Sequence, residues 1–120
     1  MEYIKTFHEV GLSDIPLVGG KNASIGELCQ NLAQLDIKVP SGFAITVGGF
    51  DAFMRVGSIR EQLKTLIGTI DYQTFSNLQQ VSEEAKRLII DLALPAELVN
   101  EILVAFAEMT QKYGPDTHVA

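Results

Sequence analysis

The sequence has 120 residues, of which 47% are apolar and 20% charged, and it carries a formal net charge of −6. This length predicts one small domain with a single core, and the negative charge disfavours nucleic acid, because binding it requires lysine and arginine to replace condensed counterions. The sequence has neither a run of roughly 18 apolar residues nor a basic, apolar leader, which predicts a soluble, cytoplasmic protein without a membrane partner.

The first residues predict a strand followed by an irregular segment. Residues 3–7 alternate apolar and polar side chains and include aromatic and β-branched types, which is typical of a short strand. Gly11 and Pro16 then interrupt any regular element, and the pair Gly19 and Gly20 closes a loop in which one glycine is expected to have positive φ.

A helix is predicted to begin directly after the paired glycines. Its N-cap is either Asn22 alone or Ser24, with Glu27 completing a capping box. Apolar residues at spacings of three and four predict the face that is turned to the core, and the helix should end near Asp36. That predicted face consists of Ile25, Leu28, Leu32 and Leu35.

The middle of the chain predicts a second strand and further helices. Residues 43–47 are mostly apolar, partly β-branched and bounded by glycines, which favours a central strand buried on both faces. Helical spacing returns after Gly49, and Ser58 with Glu61 matches a second capping box.

The second half predicts two long amphipathic helices. The first covers residues 75–92, and the second is opened by Pro95 and stopped by Gly114. Together with the short strands they predict a small, mainly helical α+β domain. Residues 117–120 resemble the start of another strand, so we expect the chain to be a truncated piece.

The strongest candidate for chemistry is the glycine-lysine loop, which comprises Gly19, Gly20, Lys21 and Asn22. Backbone N–H groups in a glycine-rich turn before a helix can converge on one point and favour an anion there, and a lysine adds a full positive charge. A Walker A loop is excluded, because Ile15 stands where that pattern needs glycine and Asn22 where it needs Ser or Thr. The dinucleotide fingerprint also fails. From spacing alone a plain structural turn remains an alternative to a phosphate site.

No other residues form a convincing site. Cys29 has no partner for an internal disulfide and lies in a helical pattern, which favours a buried small hydrophobe over a reactive thiol. His8 and His118 lack neighbours at metal-ligand spacing, and surface or capping roles are expected. The acidic residues are scattered, so neither a catalytic dyad nor a metal site is predicted within these 120 residues.

Two segments resemble the phosphoenolpyruvate synthases, the pyruvate, water dikinases. Residues 16–28 (PLVGGKNASIGEL) are similar to the opening motif of that family, and residues 39–46 (VPSGFAIT) are similar to its proline-glycine-phenylalanine strand. The resemblance continues through residues 94–98 (LPAEL). Pyruvate phosphate dikinases tend to have glycine after the lysine, where this chain has Asn22, and related loops occur in rifampicin phosphotransferases and glucan-phosphorylating dikinases.

The resemblance implies that residues 1–120 are an N-terminal subdomain of an ATP-grasp nucleotide-binding region. The family converts ATP, pyruvate and water to AMP, phosphoenolpyruvate and phosphate through a mobile phosphohistidine domain. By the same resemblance Lys21, with Gly19, Gly20 and Asn22, contacts the ATP phosphates. The Mg²⁺ ligands, the catalytic histidine and the pyruvate site are expected outside this segment, and the resemblance implies a homodimer for the full-length enzyme. A non-enzymatic α+β binding module is the alternative.

Overall fold

The computed structural model describes residues 1–37, 39, 42–114 and 116–117. Over these ranges the chain forms two strands, five α-helices and two short 3-10 turns, which confirms the predicted mainly helical α+β fold. In chain order the elements are β1 (Ile4–Thr6), a 3-10 turn (Leu12–Asp14), α1 (Ile15–Ala33), β2 (Phe43–Ile45), α2 (Val47–Arg55), a second 3-10 turn (Val56–Ser58), α3 (Ile59–Ile67), α4 (Leu78–Ile90) and α5 (Ala96–Tyr113).

The chain divides into two compact units instead of gathering around the single core that its length predicts. Residues 1–51 and 96–120 form the first unit, which contains both strands, α1 and α5. Residues 52–95 form the second unit, in which α3 packs against α4 with Ile59 and Val81 buried. The glycine-lysine loop belongs to the first unit.

The two strands pair antiparallel, with Ile4 opposite Ile45 and Thr6 opposite Phe43. The prediction that the second strand is central and buried on both faces is wrong, because Ala44 is buried whereas Ile45 is 46% exposed. A two-stranded antiparallel sheet packs on one face only, so its side chains alternate between core and surface. The strand stops at Ile45 because Thr46 begins the next helix: its hydroxyl accepts the Gly49 N–H at 3.3 Å as an N-cap.

The core of the first unit forms where α1 lies against the main chain at Val10. Val10, Val18, Ala23 and Ala44 make up its buried cluster, with Phe7 packed on it. The approach is so close that a Cβ at Gly26 would overlap the Val10 carbonyl oxygen. The same oxygen accepts a 2.7 Å hydrogen bond from Gln30 Nε2, so the buried carbonyl has a partner.

This close approach explains why the predicted apolar face of α1 is only partly right: Ile25 and Leu32 are half-buried, but the other two members are exposed. Leu28 is 54% exposed and Leu35 is 68% exposed, although both were expected to face the core. The residues that α1 buries are Val18, Ala23, Gly26 and Cys29. Small side chains face inward because larger ones would hold the helix away from Val10. The prediction that Cys29 is buried is confirmed.

Two predictions for the second unit are wrong. The capping box predicted for α3 does not form, and α4 is shorter than predicted. Ser58 precedes α3, but its φ is +58° and its side chain makes no cap hydrogen bond. The helix predicted over residues 75–92 begins at Leu78, because the preceding residues form a turn around Asp71. The Asp71 carboxylate accepts from the Thr74 hydroxyl and from the Gln73 and Thr74 N–H groups, which lowers its pKa.

The last helix, α5, begins and ends where the sequence predicts, and it forms hydrogen bonds to the N-terminal segment. It begins after Pro95 and ends at Gly114, whose φ of +99° suits glycine in a helix C-terminal turn. On its inner side, Glu101 accepts the N–H groups of Glu2, Tyr3 and Ile4 at 2.9, 2.8 and 3.1 Å. Partial desolvation raises the pKa of this carboxyl, but the three N–H donors together hold it below the ordinary value of 4.5.

Gly26→Ala should destabilise the first unit. Alanine gains up to about 1 kcal/mol of helix propensity, but its Cβ would overlap the Val10 main chain, and overpacking typically costs about 1 to 3 kcal/mol. Urea unfolding of the chain followed by circular dichroism measures the difference. The control is Gly48→Ala in α2, where the new Cβ finds its nearest neighbour at 3.4 Å; an equal loss in both variants would contradict the assigned contact.

Glu101→Gln should weaken the attachment of β1 to α5 above the pH at which Glu101 is protonated. Since folding lowers the pKa of Glu101, its stabilisation is present above the ordinary glutamate value and is lost as the pH falls through the folded-state pKa. Thermal unfolding between about pH 7 and pH 3 should therefore show the two proteins converging in acid. Glu108→Gln, an exposed substitution on the same helix, should retain the wild-type acid dependence.

Candidate functional site at the glycine-lysine loop

The glycine-lysine loop lies at a break within α1. Gly19 has φ +79° and ψ 160°, so two helical pieces, residues 15–18 and 20–33, meet there. This confirms the prediction of positive φ at one of the paired glycines. The second piece begins at Gly20, and the first N–H groups of a helix have no intrahelical acceptor. The break therefore places a helix start directly at Gly20 and Lys21.

The two caps predicted for this helix are wrong. A capping side chain accepts a hydrogen bond from the first turn, but here both candidates donate. Asn22 Nδ2 donates to the Val18 carbonyl oxygen at 2.9 Å, and Ser24 Oγ donates to the Gly20 carbonyl oxygen at 2.9 Å. Both residues lie inside the helix, because it begins at Gly20. Glu27, the third member of the predicted box, accepts the Leu12 N–H at 3.3 Å instead.

Sequence reasoning missed the role of Val18. This residue immediately precedes the break, is only 6% exposed and belongs to the core cluster, while Ala23 on the other side is fully buried. The four loop residues between them are fixed at both ends by buried side chains. A lone β-branched residue directly before a pair of glycines is the signal that could have identified this anchor.

Gly20 has no structural reason to be glycine. Its backbone is helical and its φ is not positive, and a Cβ built on it would meet no heavy atom of the described residues within 4 Å. Glycine in a helix costs up to about 1 kcal/mol relative to alanine. Packing explains Gly26 and φ explains Gly19, but neither explains Gly20. Because Gly20 has no side chain, the backbone at the start of the helix is accessible.

Lys21 supplies the charge of the loop. It is exposed, and across the part of the chain that the structure describes it forms no hydrogen bond or ion pair. It is also the only charged residue in the sequence between Asp14 and Glu27. A free ammonium beside the positive end of a helix dipole favours an anion, and phosphate groups suit this combination.

Other candidate groups lie away from this loop. A cavity of about 170 Å³ elsewhere in the first unit is lined in part by His8, Lys112 and Tyr113, and no loop residue contributes to it. His8 is exposed, and His118 lies outside the described residues. The described ranges contain no group of three or more His, Cys, Asp or Glu that could hold a metal. No helix in those ranges is long and apolar enough to cross a membrane.

The family described as the pyruvate phosphate dikinase AMP/ATP-binding domain matches residues 15–120. The match includes the whole of α1 and therefore the glycine-lysine loop. The chain belongs to this family.

Its curated relatives include proteins named phosphoenolpyruvate synthase. The one from Deinococcus radiodurans is 38% identical over all 120 residues, and the one from Synechocystis sp. is 38% identical over 108 residues, or 90% of this chain. The Escherichia coli protein is 32% identical over 104 residues, or 87% of the chain. The chain spans only 13% to 15% of the length of these three relatives.

Proposed function

We propose that this chain is the N-terminal ATP-binding segment of a phosphoenolpyruvate synthase, and that the glycine-lysine loop contacts the ATP phosphates. The full-length enzyme would convert ATP, pyruvate and water to AMP, phosphoenolpyruvate and phosphate through a phosphohistidine. The observation that carries the proposal is Gly20, because the space above its backbone is unexplained by the fold and suits a ligand that approaches the main chain.

Each loop residue has a distinct part in the proposed contact. Gly19 turns the chain so that a helix starts at residue 20, and the backbone N–H groups of Gly20, Lys21 and Asn22 face the phosphates. The Lys21 ammonium neutralises part of the phosphate charge, and it does so without first breaking an ion pair to any residue that the structure describes. The loop therefore binds and orients the nucleotide but supplies no acid, base or nucleophile.

The exposure of the loop supports an ATP site that is only partly formed by this segment. Gly19, Gly20 and Lys21 are all exposed, and none of the three cavities described in the chain includes them. Small ligands normally bury most of their surface, so the loop forms one wall of an ATP site whose other walls are supplied by further parts of the enzyme.

The same proposal includes several finer expectations. We infer an ATP-grasp region that uses Mg²⁺ with ligands outside this segment, and a phosphohistidine domain and pyruvate as partners. We also infer a cytoplasmic, homodimeric enzyme of gluconeogenesis without a nucleic-acid or membrane partner.

Lys21→Ala should weaken ATP use by the full-length enzyme. Loss of one charge-assisted phosphate contact costs about 1.5 to 3 kcal/mol, which corresponds to a fall of about 10- to 150-fold in kcat/KM for ATP. Steady-state kinetics with ATP as the varied substrate measures this. Lys86→Ala, an exposed lysine on α4, is the control and should keep the wild-type value. An unchanged kcat/KM in Lys21→Ala would remove the assigned role.

Gly20→Ala should separate binding from stability. Because no atom obstructs the new Cβ and alanine favours helix, the melting temperature should be unchanged or higher. The same methyl group would stand where the phosphates approach the backbone, so the ATP dissociation constant should rise by about tenfold or more. Calorimetry on the full-length enzyme measures both quantities, with Gly48→Ala in the first turn of α2 as the matched glycine control. Wild-type ATP affinity would show that the space above Gly20 is not used.

A further inference from the structure

The side chain of Asn22 spans the break in α1. Its Nδ2 donates to the carbonyl oxygen of Val18, four residues earlier, at 2.9 Å. In an uninterrupted helix the backbone N–H of residue 22 would lie over that carbonyl, but the φ of +79° and ψ of 160° at Gly19 interrupt the regular geometry between them. The side chain of Asn22 therefore bonds the carbonyl oxygen of the residue that directly precedes the break.

The chain at Gly19 could adopt a second conformation, in which the helix is not interrupted. Glycine adopts helical φ as readily as positive φ, so α1 could continue straight through Gly19. In that state the N–H groups of residues 20–22 would turn toward the carbonyls of residues 16–18 and would no longer face outward. The hydrogen bond from Asn22 to Val18 joins residues on the two sides of the break, in the conformation in which the loop can receive an anion.

We propose that Asn22 is a positioning residue whose side-chain amide holds the break at Gly19 in its ATP-binding conformation. This inference rests on the proposed function of the loop. Asn22 adds no charge, and through its side chain it acts on Val18 and not on the nucleotide. Its backbone N–H remains part of the proposed phosphate contact, so a substitution that preserves the backbone tests the side chain alone.

The same helix supplies a matched control. Asn31 also directs its amide one turn back, to Glu27 Oε1 at 3.3 Å, but this pair is exposed and lies well beyond the break. Asn31→Ala therefore removes the same kind of side chain from the same helix without touching the loop. Any general effect of losing an asparagine from α1 should appear in both variants.

The test uses the full-length enzyme with Asn22→Ala and Asn31→Ala. The ATP dissociation constant should rise about 3- to 10-fold in Asn22→Ala, the value of one intramolecular hydrogen bond, while the KM for pyruvate and the melting temperature stay at wild type. Asn31→Ala should match wild type in all three. An unchanged ATP dissociation constant in Asn22→Ala, or a common change in all three quantities, would overturn the proposal, since the second result indicates a merely structural role.

A double-mutant cycle with Gly19→Ala separates positioning from direct contact. Alanine is strained at the observed φ and favours the continuous helix, so Gly19→Ala should itself weaken ATP binding. If Asn22 acts through the break, Asn22→Ala should change the ATP dissociation constant less than about twofold in that background. Additive losses would overturn the proposal in favour of a direct contact between the amide and ATP.

Lys21→Ala in the same binding assay distinguishes failure of the proposed ATP site from failure of the positioning role of Asn22. Wild-type ATP affinity in that variant overturns the proposed site and the positioning role with it. Weakened binding in Lys21→Ala together with wild-type binding in Asn22→Ala overturns only the positioning role.

Discussion

The close approach of α1 to the Val10 main chain determines which side of this helix is buried and which side is exposed. A side chain at residue 26 would collide with the Val10 carbonyl, so only glycine allows the helix to reach this depth. Gln30 then satisfies that carbonyl, and the small residues Ala23 and Cys29 complete the buried side. Once this side is fixed, the rotation of the helix about its own axis is fixed as well. Gly20 and Lys21 consequently lie on the exposed side.

The same constraint shows why part of the fold could be predicted from the sequence and part could not. The start of α5 after Pro95 and its stop before Gly114 depend on local chemistry, a fixed φ at proline and a positive φ at glycine, and both were predicted correctly. The face of α1 was predicted from the positions of its large apolar residues, and Leu28 and Leu35 are instead exposed. A prediction from periodicity places the largest side chains in the core. A helix that packs directly against another backbone segment can bury only small side chains. That choice depends on Val10, which is distant in sequence.

The positive φ at one of the paired glycines was predicted correctly, but the local structure around it was not. Positive φ at Gly19 follows from the chemistry of glycine and was anticipated, whereas the roles of Asn22 and Ser24 as caps were reversed from acceptor to donor. Capping rules assume that a helix has one start. Here a helical turn already precedes Gly19, so the carbonyls of that turn compete for the nearby side chains. Which partner a short polar side chain takes depends on the torsions of the break, and spacing does not encode those torsions.

Four adjacent residues therefore correspond to four separate requirements of the proposed anion-binding helix start. Gly19 provides the backbone conformation, Gly20 provides access, Lys21 provides charge, and Asn22 ties the start of the helix to the preceding turn. Only the first and last of these are explained by the fold itself. The open space at Gly20 and the free ammonium of Lys21 contribute nothing to packing, and a sequence selected for stability alone would favour alanine at residue 20. Features that a fold does not need, placed together on a rigid anchor between Val18 and Ala23, are what a binding function requires.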